Sequence, residues 1–229
     1  MTEQLNHSVL NSKKKHIYFI PGTAANSNIF ERIELPSDTF ELHFIEWLIP
    51  NAKNEKIESY ALRMCSQVKH KNPILVGVSF GGVIAQEMSK IITCAQIVLI
   101  SSIKNRNELP NGLVFVKKSN AYKLFPSNSL TTLENIVKNL FGKKVKKRIL
   151  IYQNYLSFRD PVYLKWAIRQ VLHWRQSNSL PNCLHIHGDQ DAIFPIKHIQ
   201  NCIPIKDGTH VMILTKAKEI SQILNQKLR

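Results

Sequence analysis

The 229-residue sequence predicts an α/β protein: a doubly wound, mostly parallel sheet of about six strands, interrupted by one helical insertion. Three observations predict it. Short apolar runs alternate with helical patterns along most of the chain. One run, Pro73-Ile74-Leu75-Val76, turns through Gly77-Val78-Ser79-Phe80-Gly81-Gly82 directly into a helical pattern. Two further runs near the C-terminus end in polar loops that carry two acids and a histidine.

In chain order, strands are expected at His16–Ile20, Leu42–Trp47, Ile74–Val78, Ala95–Ile100, Cys183–His187 and Cys202–Ile205. Helical patterns separate them, clearest at Glu58–Val68, Val83–Ile92 and Ala217–Leu224. Strands alternating with helices imply parallel crossovers. The length suits one domain with a full core. No run approaches 18 apolar residues, and the polar start Met1-Thr2-Glu3-Gln4-Leu5-Asn6-His7-Ser8 lacks the apolar centre of a signal peptide. Cys65, Cys94, Cys183 and Cys202 follow no metal or redox spacing and read as reduced core residues. A cytoplasmic location is expected from these features.

The Gly-x-Ser-x-Gly turn between a buried strand and a helix has a specific chemical use. It holds Ser79 in a crowded backbone conformation that the flanking glycines tolerate because they lack a Cβ. The hydroxyl then stands clear of the sheet at the positive end of the following helix. Downstream, Leu184-His185-Ile186-His187-Gly188-Asp189-Gln190-Asp191 reads as a strand running into an acidic loop, and His210 follows the last short strand. The chain order serine, acid, histidine is that of a Ser-Asp-His hydrolase on an open α/β sheet. His185 and His187 share a strand face, but no third ligand stands at a sensible spacing, so no metal is assigned there. His187 is read instead as ordering the loop of Asp191.

With these motifs the sequence resembles the α/β-hydrolase superfamily in its short bacterial form, from about Ile17 to about Leu224. The resemblance implies a Ser79, Asp191, His210 triad and no cofactor. Asp191 is chosen over Asp189 because the family pattern Gly-x-x-Asp-x-x-x-Pro falls on Gly188, Asp191 and Pro195; Asp189 is read as a turn former. The oxyanion hole would use the backbone N–H of Phe80, next to the nucleophile, and by alignment on Gly22 that of Thr23. This chain has Pro21 where many relatives have histidine. The family's usual N-terminal antiparallel hairpin is expected to be reduced, since only about fifteen residues precede the first strong strand. The core is placed at residues 1–103 and 181–229, with a cap insertion at 104–180.

The insertion differs in character from the rest. Helices are expected at Leu130–Leu140, Val145–Tyr155 and Pro161–Arg175. Residues 104–175 hold 10 of the chain's 19 aromatics, and 15 Lys/Arg against 3 Asp/Glu, so +12 of the net +15 charge lies here. Tyr155, Phe158 and Trp166 are the candidate substrate contacts, suiting an apolar acyl group. The cluster Lys143-Lys144-Val145-Lys146-Lys147-Arg148 reads as a solvated face, as a handle for an anionic acyl donor such as a coenzyme A thioester, or as a contact for an anionic lipid surface. No nucleic-acid recognition motif accompanies the charge. The expected activity is hydrolysis of an ester or thioester. Carbon–carbon bond hydrolysis, a lyase reaction on the same residues, or a ligand receptor on the same fold are the alternatives. Nothing in the sequence specifies an oligomeric state.

Overall fold

The computed structural model describes residues 14–119 and 155–229. Its centre is a six-stranded sheet in which every pairing is parallel, with the order β2-β1-β3-β4-β5-β6. The strands are β1 (Lys15–Ile20), β2 (Phe40–Phe44), β3 (Ile74–Val78), β4 (Gln96–Ile100), β5 (Cys183–Gly188) and β6 (Ile203–Ile205). Among the described residues the sheet has no antiparallel strand. The central strand β3 is buried throughout, as a continuous apolar run covered on both faces must be. Pro204 sits on the edge strand β6, where a missing N–H costs no ladder bond on the open side.

Alternation along the strands divides the core into two layers. Tyr18, Ile20, Leu75, Ile97 and Leu99 face α1 (Ile57–Cys65) and α2 (Phe80–Ser89). Ile17, Phe19, Ile74, Val76, Val98 and Ile100 face the other side, packed with the C-terminal segments numbered below. Both faces are therefore closed by helices, as a doubly wound sheet requires. The order of the strands also fixes where a ligand crevice can lie. The chain leaves β1 toward β2 at one edge and returns to β3 on the other side of β1, so the β1–β3 junction is the topological switch point.

Several boundaries differ from expectation. α1 stops at Cys65 rather than Val68, because Ser66 and Gln67 N–H groups turn back three residues to Arg63 and Met64 carbonyls and tighten the last turn. α2 begins immediately after Ser79. β2 ends at Phe44, and Trp47 turns into the core instead of continuing a strand.

Between β4 and β5 lie α3 (Asn111–Lys118), which the sequence pattern does not reveal, and α4 (Pro161–His173), close to the expected third helix of the insertion. The Asp160 carboxylate caps α4 through Tyr163 N–H at 2.8 Å, with Pro161 at the first helical position. The expected helix at Leu130–Leu140, nearly all of that at Val145–Tyr155, and the lysine cluster lie outside the described residues. The chain closes with α5 (Met212–Thr215) and α6 (Ala217–Leu228). No helix among the described residues is long and apolar enough to cross a membrane. The four cysteines are free thiols, half-buried, and burial pushes Cys65 and Cys94 up to about 11 and Cys183 to about 12.

Candidate active site

Ser79 sits between β3 and α2 with φ 53°, in the left-handed region that a side-chain-bearing residue occupies only at a cost. Three glycines make that turn possible. A Cβ on Gly77 would strike the Gly81 carbonyl and one on Gly81 the Pro21 carbonyl, while one on Gly82 would strike the Ser102 side chain. The strain is opposed by bonds on both sides of the serine. Ser79 N–H donates to the Ile100 carbonyl at 3.0 Å, and the Ser79 carbonyl accepts from Ser102 Oγ at 2.6 Å. The elbow is thus tied to the end of β4 as well as to its own strand.

Two loops from the far side of the sheet meet this serine. His210 Nε2 lies 3.0 Å from Ser79 Oγ, and His210 Nδ1 lies 2.9 Å from Asp191 Oδ2. Asp191 is 3% exposed. Its Oδ1 accepts from the N–H groups of Ile193 (2.8 Å) and Phe194 (2.9 Å), so its loop fixes the carboxylate before the histidine meets it. The structure brings together the three residues expected to meet. Asp189 stays outside the group. Its N–H donates to the Ile205 carbonyl, while its Oδ1 is buried without a hydrogen-bond partner, so that oxygen makes none of the turn bonds expected of it.

His187 and two glycines support this arrangement. His187 Nε2 is 2.8 Å from the Phe194 carbonyl. A carbonyl only accepts, so that nitrogen carries a proton. The ring therefore holds the loop that presents Asp191, as the sequence suggests, and its Nε2 also lies 3.5 Å from Asp191 Oδ2. His187 Nδ1 faces His185 Nε2 at 3.2 Å. Burial foremost keeps both rings below the ordinary histidine value, with His187 acting in the same direction on His185 and Asp191 opposing it on His187. A Cβ on Gly188 would meet the Gly208 carbonyl, and Gln190 N–H donates to that carbonyl at 2.8 Å. Gly188 and Gly208 thereby let the acid loop and the histidine loop touch. Their pairing spans 20 residues of sequence and leaves no local pattern to read.

The expected oxyanion loop follows β1. Ala25 N–H closes a turn onto the Gly22 carbonyl at 3.0 Å, with Thr23 half-buried and Ala24 at φ 65°. Trp47 and Phe158 brace it. The Trp47 indole N–H donates to the Gly22 carbonyl at 3.1 Å, and Phe158 N–H donates to the Ala24 carbonyl at 3.0 Å. Trp47 also stacks on Phe80, the other expected donor residue, with ring centroids 5.5 Å apart. The loop carries Pro21 instead of histidine and is anchored by this tryptophan, whose role nothing in the local sequence marks.

The three aromatic candidates from the insertion separate. Phe158 stays beside the loop, its ring edge-on to Tyr163 at 4.8 Å. The Tyr155 hydroxyl is committed to the Glu31 carboxylate at 2.7 Å. Trp166 is corrected: it is 1% exposed, packs against Tyr60 and Phe80, and donates its indole N–H to the Glu55 carbonyl at 2.8 Å. Its place on the inner face of α4 makes it part of the core behind the serine, so it offers no surface to a ligand.

No family model and no curated protein matches the sequence. Solved structures do match its fold. An esterase from Thermogutta terrifontis superposes with a TM-score of 0.69 at 16% identity, covering 94% of this chain and 89% of that one. The 2-hydroxy-6-oxo-6-phenylhexa-2,4-dienoate hydrolase of Rhodococcus sp. strain RHA1 gives 0.65 at 14% identity, covering 94% and 91%. MenH from S. aureus gives 0.63 at 18% identity, covering 94% and 95%. The protein has the α/β-hydrolase fold. At these identities the likeness concerns the fold, and the chemistry must be argued from the site.

Proposed function

We propose that the protein is a serine hydrolase that cleaves a carboxylic ester or thioester. One observation carries the reading: a serine in a strained strand-to-helix turn, in line with a histidine and a buried carboxylate through contacts of 3.0 and 2.9 Å. In this mechanism His210 Nε2 takes the proton from Ser79 Oγ as the oxygen attacks the carbonyl carbon. Asp191 holds the proton on Nδ1, keeps the productive tautomer and stabilises the imidazolium. The tetrahedral oxyanion faces the N–H groups of Phe80 and Thr23, each contributing about 3–4 kcal/mol to lowering the barrier. The imidazolium then gives its proton to the leaving alcohol or thiol, and water repeats the sequence to release the acid.

Residues 104–180 are proposed to form the substrate-selecting cap. Phe158, hydrogen-bonded to the loop of Thr23, is the aromatic best placed to meet an apolar acyl group, and the positive charge of the segment suits an anionic acyl donor. Carbon–carbon bond hydrolysis remains the second reading, favoured by the likeness of the fold to the phenylhexadienoate hydrolase.

The test is covalent. A fluorophosphonate probe should label the wild type once and leave Ser79→Ala unlabelled, and p-nitrophenyl esters should be turned over many times per site. Labelling that persists in Ser79→Ala, or a burst that stops after about one turnover per chain, would defeat the hydrolase reading; the latter is the behaviour of a receptor. A panel of esters, acyl thioesters and ring-cleavage diketones then separates the two chemistries.

A further inference from the structure

A second group of potentially reactive side chains lies at the opposite end of the sheet. His16, the second residue of β1, pairs in register with Glu41 of the edge strand β2, while His43 pairs with Tyr18. By strand alternation all four point to the α1 side of the sheet. His70, on the connection from α1 to β3, completes the group, and one ligand atom from each of His16, Glu41, His43 and His70 falls within 4.8 Å of all the others. Strand register puts the cluster about 20 Å from Ser79, counted as six residues at about 3.3 Å each, so it has no part in the ester chemistry.

We propose that His16, His43, His70 and Glu41 form a binding site for a late first-row divalent cation, zinc in the first instance. The spacing supports this. Zinc with nitrogen ligands at about 2.0–2.1 Å in a tetrahedron sets neighbouring donor atoms about 3.3 Å apart. His16 Nδ1 lies 3.1 Å from His43 Nε2, 3.6 Å from Glu41 Oε2, and His43 Nε2 lies 3.7 Å from Glu41 Oε1. Three imidazoles and one carboxylate suit zinc, nickel or copper and are a poor match for magnesium or calcium, which prefer oxygen donors throughout.

The outer partners follow the pattern of metal-bound histidines. His70 Nδ1 lies 2.7 Å from the Tyr18 hydroxyl, which itself accepts Lys69 N–H at 2.9 Å, so the other ring nitrogen of His70 can serve as the ligand. The His16 and His70 rings stack at 3.5 Å, 6° from parallel. An ion near the plane of both rings requires one to turn, and His70, carried on a connection rather than a strand, is the one that turns. The bound ion would join β2, β1 and the connection from α1 to β3.

Untagged protein, stripped with a chelator, is titrated with Zn²⁺ by calorimetry and by thermal unfolding. One ion per chain should bind and Tm should rise with its concentration, while Mg²⁺ does neither. Co²⁺ in place of zinc should give the intense visible bands of tetrahedral coordination. Tyr18→Phe should weaken binding about 10–100-fold. His43→Gln should weaken it further, and Glu41→Gln, at a half-exposed edge position, provides a ligand variant that keeps the fold. The proposal is overturned if zinc binding is absent or unsaturable, if the cobalt spectrum is octahedral, or if one-to-one binding survives the His16→Gln/His43→Gln double variant.

Discussion

Two groups of histidines occupy different parts of the same sheet, one at β5 and β6 and one at β1 and β2, and they differ in what their ring nitrogens face. At the carboxyl ends, His210 stands between Asp191 and Ser79, and His187 is directed at the Phe194 carbonyl. Each of these rings faces an acceptor that requires a proton on the facing nitrogen. On β1 and β2, His16 and His43 face each other and share Glu41, and His70 stacks on His16. A ring fixed by a carboxylate on one side and a hydroxyl on the other is oriented for proton transfer. Rings that converge on one another leave room for a cation to supply the missing positive charge. The same side chain is thus directed to different work by the acceptors that the fold places around it.

The comparison can be broken most sharply at His210. His210→Gln keeps a polar side chain of similar reach but cannot relay a proton, and kcat for a p-nitrophenyl ester should fall about 10⁴-fold or more. Retained turnover would mean the contact with Ser79 is only structural. The acid comes next. Asp191→Asn should cost about 10³–10⁴ in kcat through the wrong histidine tautomer, whereas Asp189→Asn should stay within about tenfold. Reversed effects would put the acid at Asp189.

His187 tests whether support for the acid loop matters apart from the triad itself. His187→Gln should lower kcat about tenfold with KM little changed, because it loosens the loop that aims Asp191. A change in KM alone would place its role in binding. A smaller effect is expected from pH. His185 and His187 have folded-state values depressed mainly by burial, so below the unfolded value of about 6.5 the unfolded chain holds more protons than the folded one. Stability present above about pH 6.5 is therefore lost as the pH falls below it. Unfolding followed between about pH 7 and pH 5 should show Tm decreasing, with a shallower slope in His185→Gln. A Tm that rises on acidification in this range would contradict buried, neutral rings.

The smallest expected effect concerns charge. If the basic segment steers an anionic acyl donor, kcat/KM for an acyl-coenzyme A should fall as the screening length shortens from about 10 Å at 0.1 M salt to about 3 Å at 1 M. A neutral ester of the same chain length should be nearly unaffected. Equal responses would assign Lys143, Lys144, Lys146, Lys147 and Arg148 to a solvated face.

Much of this was legible in sequence because its physical cause is local. The β3–Ser79–α2 turn shows itself as an apolar run followed by glycines, since a strained elbow and a buried strand each demand particular residues within a few positions. Asp191 and His210 were legible because each stands in a polar loop that follows a strand, with the family pattern on Gly188, Asp191 and Pro195 choosing between the two acids. The signals that failed were those that cross the fold. Trp166 looks in sequence like a substrate-facing aromatic, yet it is buried by Tyr60 and Phe80 from distant elements. Trp47 and Gly208 carry no local sign of their work, because bracing the Gly22 turn and admitting Gly188 are contacts between separate loops.

The sequence by itself determined the strands, their parallel connection and the residue types at the elbow and in the two C-terminal loops, because periodicity and steric demand act over neighbouring positions. Only the tertiary structure decided how closely Asp191 and His210 approach, which aromatic braces the loop after β1, and that His16, Glu41, His43 and His70 converge. Those outcomes depend on strand order and register, which bring residues far apart in the chain to within about 3 Å of one another.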